Sequence, residues 1–175
     1  AQRTGTGDTI VADNGSSAGG ALYSYGATDS TERALGSLGS GNSAAGSFAW
    51  AVNLQNTSGR TVTLAALAYT GEQWRNSGAA EQAVAFSYRT GSNATTDLSP
   101  GSDAGWTAVD ALDFVSPVSG GSAAALDGNA SSNRADRQAD LGIAVAPGQW
   151  ITLRWRDADQ SGADHGLSID DLTLD

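Results

Sequence analysis

Apolar residues in this chain recur with a period of two. From Ser47 to Asn56, Phe48, Trp50, Val52 and Leu54 fall on one side and Ala49, Ala51 and Asn53 on the other, the alternation of a half-buried strand. The same period aligns Val84, Phe86 and Tyr88 in Gln82 to Arg89, and Ile151, Leu153 and Trp155 in Gln149 to Arg156. Thr61 to Thr70, Leu141 to Val145 and Gly166 to Leu174 read as three further strands, with weaker patterns in Ala21 to Ala27 and Trp106 to Val115. No stretch keeps apolar residues at three- and four-residue spacing over ten positions without a Gly, so no helix is predicted.

Turn chemistry separates these segments: Asn56-Thr57-Ser58-Gly59, Asn76-Ser77-Gly78, Pro100-Gly101-Ser102-Asp103 and Pro147-Gly148. About eight short strands punctuated this way predict an all-β fold, a two-sheet antiparallel β-sandwich of jelly-roll type. Residues 1–175 form one domain in this reading. The weakly patterned segment 36–46 reads as a surface loop, and 119–138 is equally weak in pattern. Ala is abundant on the strand faces, so a few large rings must fill the space between the sheets; Trp50, Phe86 and Trp155 are assigned to the core.

Composition narrows the chemistry. Sixteen Asp and three Glu against nine Arg, with no Lys, give a net charge of −10, and such a surface is a poor partner for nucleic acid. The absence of Cys removes disulfides, thiolate catalysis and Cys-ligated metals. No apolar run is long enough for a membrane span, and Ala1-Gln2-Arg3 lacks the pattern of a signal peptide, so the chain reads as a mature or excised segment without membrane insertion. A composition rich in Asp, Ser, Thr and Gly and free of Lys is associated with secreted bacterial β-domains, which places the expected location outside the cell or on its surface.

The densest polar cluster runs from Asp157 through Asp159, Ser161, Asp164 and His165 to Asp170 and Asp171. Oxygen ligands at alternate positions followed by Gly resemble the first half of an EF-hand loop, but Ser168 stands where the closing Glu belongs, so an EF-hand is excluded. A structural calcium held by Asp157, Asp159, Ser161, Asp164 and Asp171 is one reading, and a solvated loop of Asx-turns is the other. A second calcium arrangement uses Asp170 or Asp171 with backbone carbonyls of the opposite sheet. His165, the only histidine, reads as structural because no nucleophile motif accompanies it. Glu72 beside Trp74 is the best catalytic carboxylate, yet a loop ion pair with Arg75 explains it without catalysis. Trp74, Trp106 and Tyr25, with Glu72 and Arg75, are the candidates for stacking on and hydrogen-bonding a sugar, the alternative being rings tucked over a sandwich edge.

Five ordered blocks carry a resemblance: Glu32 to Gly41, Tyr69 to Arg75, Leu112 to Pro117, Leu126 to Asn129, and Arg154 through Asp171. Together they resemble a β-sandwich domain of secreted and surface-anchored bacterial proteins, often attached to extracellular hydrolases. The closing Ile169-Asp170-Asp171-Leu172 is similar to the last strand of jelly-roll carbohydrate-binding modules, where an Asp commonly helps to hold calcium. Domains of this appearance usually begin with a further acidic strand, whose absence ahead of Thr4 would leave a sheet edge open to a strand of another chain. The resemblance implies a non-catalytic secreted module that binds an extracellular polysaccharide or glycan, with a structural calcium. The alternatives are a homo-oligomeric subunit of a fibre, sheath or adhesin, and an accessory domain of an extracellular hydrolase.

Overall fold

The computed structural model describes residues 1–175, and its alternating segments pair into two sheets. Sheet A has the order β1 (Gln2–Arg3), β5 (Phe48–Gln55), β12 (Trp150–Asp157), β7 (Ala83–Gly91) and β8 (Thr107–Ala108), with β9 (Phe114–Val115) also on β7. Sheet B places β10 (Ala124–Ala125) and β11 (Arg134–Val145) on β6 (Val62–Asn76), then β13 (Gly166–Leu174), β4 (Ala34–Leu38), β3 (Ala21–Tyr25) and β2 (Ile10–Asp13). Every pairing is antiparallel except the parallel β2 and β3. From β4 onward the main strands alternate between sheets, so that β11-β6-β13-β4 faces β5-β12-β7; this is the jelly-roll order. No helix is long and apolar enough to cross a membrane.

The predicted inward faces build the core. Phe48, Trp50, Val84, Phe86, Leu153 and Trp155 meet Leu67, Tyr69 and Leu167 between the sheets. Trp155 is the centre of an edge-to-face group, with Phe86 at 5.2 Å and Tyr69 at 5.6 Å between ring centroids. At Gly71 the Phe114 ring lies where any side chain would begin, so only Gly lets the ring reach the strand.

Three readings of the pattern need correction. Residues 36–38, the start of the segment expected as a surface loop, belong to β4 in the middle of sheet B; Gly36 and Ser37 conceal it because Gly36 packs directly against Leu167 and Ser168. The strand expected to end at Thr70 continues to Asn76, and β11 begins at Arg134. Alternation vanishes over Tyr69 to Trp74 because these residues are buried on both faces of the sheet. Their outer side belongs to a second cluster of Tyr23, Tyr25, Ala34, Leu38 and Trp74, outside the sandwich core.

Candidate metal centre

Strand parity sends Leu67 and Tyr69 of β6 inward, and Glu72 and Trp74 outward. In β13 the inward residues are Leu167 and Ile169, so Ser168 and Asp170 share the outer face with Glu72. Register sets Ser168 opposite Glu72, and the Ser168 hydroxyl donates to the Glu72 carbonyl at 3.2 Å. Glu32, from the loop ahead of β4, comes over the same spot. One carboxylate oxygen each from Glu32, Glu72 and Asp170 lies within 4.8 Å of the others, with Glu72 buried, Asp170 half-buried and Glu32 exposed.

The loop between β10 and β11 roofs this group. The Trp74 carbonyl accepts from Leu126 N–H at 2.8 Å, the Asn133 carbonyl accepts from Gln73 N–H at 2.8 Å, and Gly128 packs on the Trp74 indole so closely that a side chain there would collide with the ring. The Asn129 amide donates to Glu32 Oε2 at 2.8 Å, tying the roof to the loop that carries Glu32. Trp74 Nε1 donates to Glu72 Oε2 at 2.9 Å. Each arrangement leaves the second oxygen of the carboxylate for another partner.

Three carboxylates at this spacing repel one another, and burial adds to the cost of ionising the innermost. Desolvation pushes Glu72 up to about 7; the Trp74 N–H and the charge of Arg134 oppose the rise, while Glu32 and Asp170 add to it. Burial also raises Asp170, and Glu32 contributes to that shift. A hard divalent cation between the three oxygens reverses this balance, since calcium takes oxygen ligands at about 2.3–2.6 Å and binds six to eight of them. Oxygens within 4.8 Å of one another fit around one such ion.

The aromatic residues expected to stack on sugar are placed differently. Trp74 and Tyr25 are each 1% exposed and lie parallel, with centroids 6.0 Å apart, Trp74 beneath the roof loop. They are therefore corrected from ligand platform to outer-cluster core. Trp106 is half-buried, with the guanidinium carbons of Arg89 and Arg154 at 4.5 and 4.1 Å from its ring centroid, so its π-face is already engaged. Arg75 makes no ion pair with Glu72; its Nη1 donates to the carbonyls of Gly15 and Ser16.

The expected metal set is divided. Asp157, Asp159, Ser161 and Asp164 stay at one end of the sandwich, whereas Asp171 sits on a bulge of β13 roughly 17 Å further along the strand. It adjoins Asp170 at the three-carboxylate group, so a single site holding all five residues is excluded. In the second arrangement, Asp170 faces the carboxylates of Glu32 and Glu72 and not carbonyls of the opposite sheet. His165 is fully buried, with Nδ1 accepting from Ser77 N–H at 3.0 Å and Nε2 facing the Ala80 carbonyl at 3.2 Å. Both ring nitrogens are occupied structurally, and burial lowers the His165 pKa.

Glu32 carries no sequence signal of its own, because only the crossing of its loop over β6 and β13 gives it a role. A motif of Glu, one residue, then Trp on a strand would have been the available clue to Glu72, since such spacing puts indole and carboxylate on one face. No family model, curated protein or solved structure matches the chain.

Proposed function

We propose that this chain is a non-catalytic module of a secreted or surface-exposed bacterial protein that holds a calcium-class ion at Glu32, Glu72 and Asp170 and binds extracellular carbohydrate through that ion. The observation that carries the reading is the convergence of three carboxylate oxygens within 4.8 Å on the outer face of sheet B. Glu72 Oε2 is taken by Trp74 and Glu32 Oε2 by Asn129, so the three residues supply fewer oxygens than calcium accepts. Glu32 is exposed, so paired sugar hydroxyls can replace water at the remaining positions. This route needs no free aromatic face.

Terbium luminescence sensitised by Trp74, followed by affinity electrophoresis on a polysaccharide panel with calcium or chelator, tests it. Retention that requires calcium and is lost in Glu72→Gln is the expected result. Ion binding without retention on any polysaccharide removes the carbohydrate half, and no ion binding removes the whole reading. A second reading, strand pairing between copies, draws on β2, an edge strand whose Ile10 and Val11 are 55% and 43% exposed.

A further inference from the structure

The end of β12 and the loop that leads into β13 carry a separate set of carboxylates. Asp157 shares the inward parity of Leu153 and Trp155, so β12 ends by placing a carboxylate between the sheets. Its only hydrogen bond is from the Ser37 hydroxyl, at 2.5 Å, and no Arg lies within ion-pairing distance. Arg156, whose charge acts on Asp157, is itself held by Asp103. The loop after β12 then folds back over this end. Asp164, only 4% exposed, accepts Gln160 N–H at 3.0 Å on Oδ1, while its Oδ2 is buried with no partner. Asp159 lies beside it with an exposed carboxyl: its Cα and the Asp164 carboxyl carbon are both 3.2 Å from the position that a Cβ on Gly39 would take.

A buried carboxylate oxygen with neither donor nor cation is costly, and such groups are normally paired or bound to metal. Gly39 lines the other side; a Cβ there would come within 3.2 Å of the Asp164 carboxyl carbon, so the missing side chain lets backbone approach the pair. Burial drives Asp157 up to about 7 and Asp164 up to about 6, as expected for acids lacking a counter-charge.

We infer that Asp159 and Asp164 bind a second divalent cation of the calcium class, with the buried Asp157 supplying negative charge behind it. This site is independent of Glu32, Glu72 and Asp170, and it acts as a clasp that fixes the loop from β12 to β13 on the end of the sandwich. It keeps two residues of the alternating Asp pattern, Asp159 and Asp164, as ligands.

Calcium chloride titrated calorimetrically into the stripped full chain, and into Glu72→Gln, Asp164→Asn and Asp159→Asn, tests the inference. Two ions per wild-type chain are expected, one in each single variant and none in Glu72→Gln/Asp164→Asn. One wild-type ion, lost in Glu72→Gln and unaltered in Asp164→Asn and Asp159→Asn, overturns the second site and leaves the first intact. One ion lost in Asp164→Asn but kept in Glu72→Gln supports the second site while removing the first. If circular dichroism shows Asp164→Asn unfolded, the count in the surface variant Asp159→Asn decides. No calorimetric binding in wild type overturns both.

Discussion

Glu72 concentrates the conflict that defines the outer face: a fully buried acid beside two other acids, with one indole N–H for support. Hydrogen bonds to charged groups contribute about 1.5–3 kcal/mol, so Trp74→Phe, which keeps the ring and deletes the donor, should weaken calcium binding by roughly tenfold or more. Isothermal titration checks this, and unchanged affinity would mean that Oε2 finds another donor. Proton linkage gives a second expectation. Glu72, Asp157 and Asp164 all have raised pKa values in the fold, so their protonated forms are favoured there. Their contribution is greatest below the ordinary values of 4.5 and 3.8 and is lost as pH rises toward about 7. His165 runs the other way, because its lowered pKa removes stability as pH falls below 6.5. Three carboxyls outweigh one imidazole, so in chelator the melting temperature should be higher at pH 5.5 than at pH 8. Calcium should reverse that order, because the ion requires the ionised carboxylates.

Among the elements, β12 shows how one residue fastens a loop. Arg154 is 1% exposed and donates to Ser87 Oγ at 2.9 Å, to the carbonyls of Leu98 and Ser102 at 3.0 and 2.9 Å, and to Asp103, while Trp106 covers the guanidinium. Removing it leaves the Ser87 hydroxyl and two carbonyls without their donor, while exposed Asp103 keeps Arg156, so Arg154→Ala should cost about 1–3 kcal/mol in urea unfolding. Arg154→Lys should recover little, since an ammonium cannot reproduce the fork. Strands whose apolar and polar residues alternate were legible from sequence: β5, β7, β12 and β13 lie within a residue or two of where the alternation puts them. The outer half of β6 was not, because Tyr69 to Trp74 is covered on both sides and loses its period. The candidate site fell in that stretch. Asp170 was visible within its Asp pair and Glu72 as a rare Glu, but their meeting depends on a register that no local pattern encodes, and Glu32 depends on a loop crossing.

At the scale of the whole molecule, charge and edges oppose each other. The exposed β2 edge can accept a strand, but a net charge of −10 repels a second copy. Light scattering in chelator at low ionic strength should therefore read a monomer. Association, where it occurs, should appear on adding salt or calcium and vanish in Val11→Lys; mass unaffected by that substitution would take β2 out of the contact. The parallel Tyr25 and Trp74 rings, fixed at an interplanar angle of 1° outside the main core, have an optical consequence. Near-ultraviolet dichroism arises from aromatic groups locked in asymmetric surroundings and is lost when packing loosens. A rigid tyrosine–tryptophan pair whose indole also holds Glu72 thus gives the outer face its own chromophore, one that reports loosening of the roof loop while the rings around Trp155 remain undisturbed.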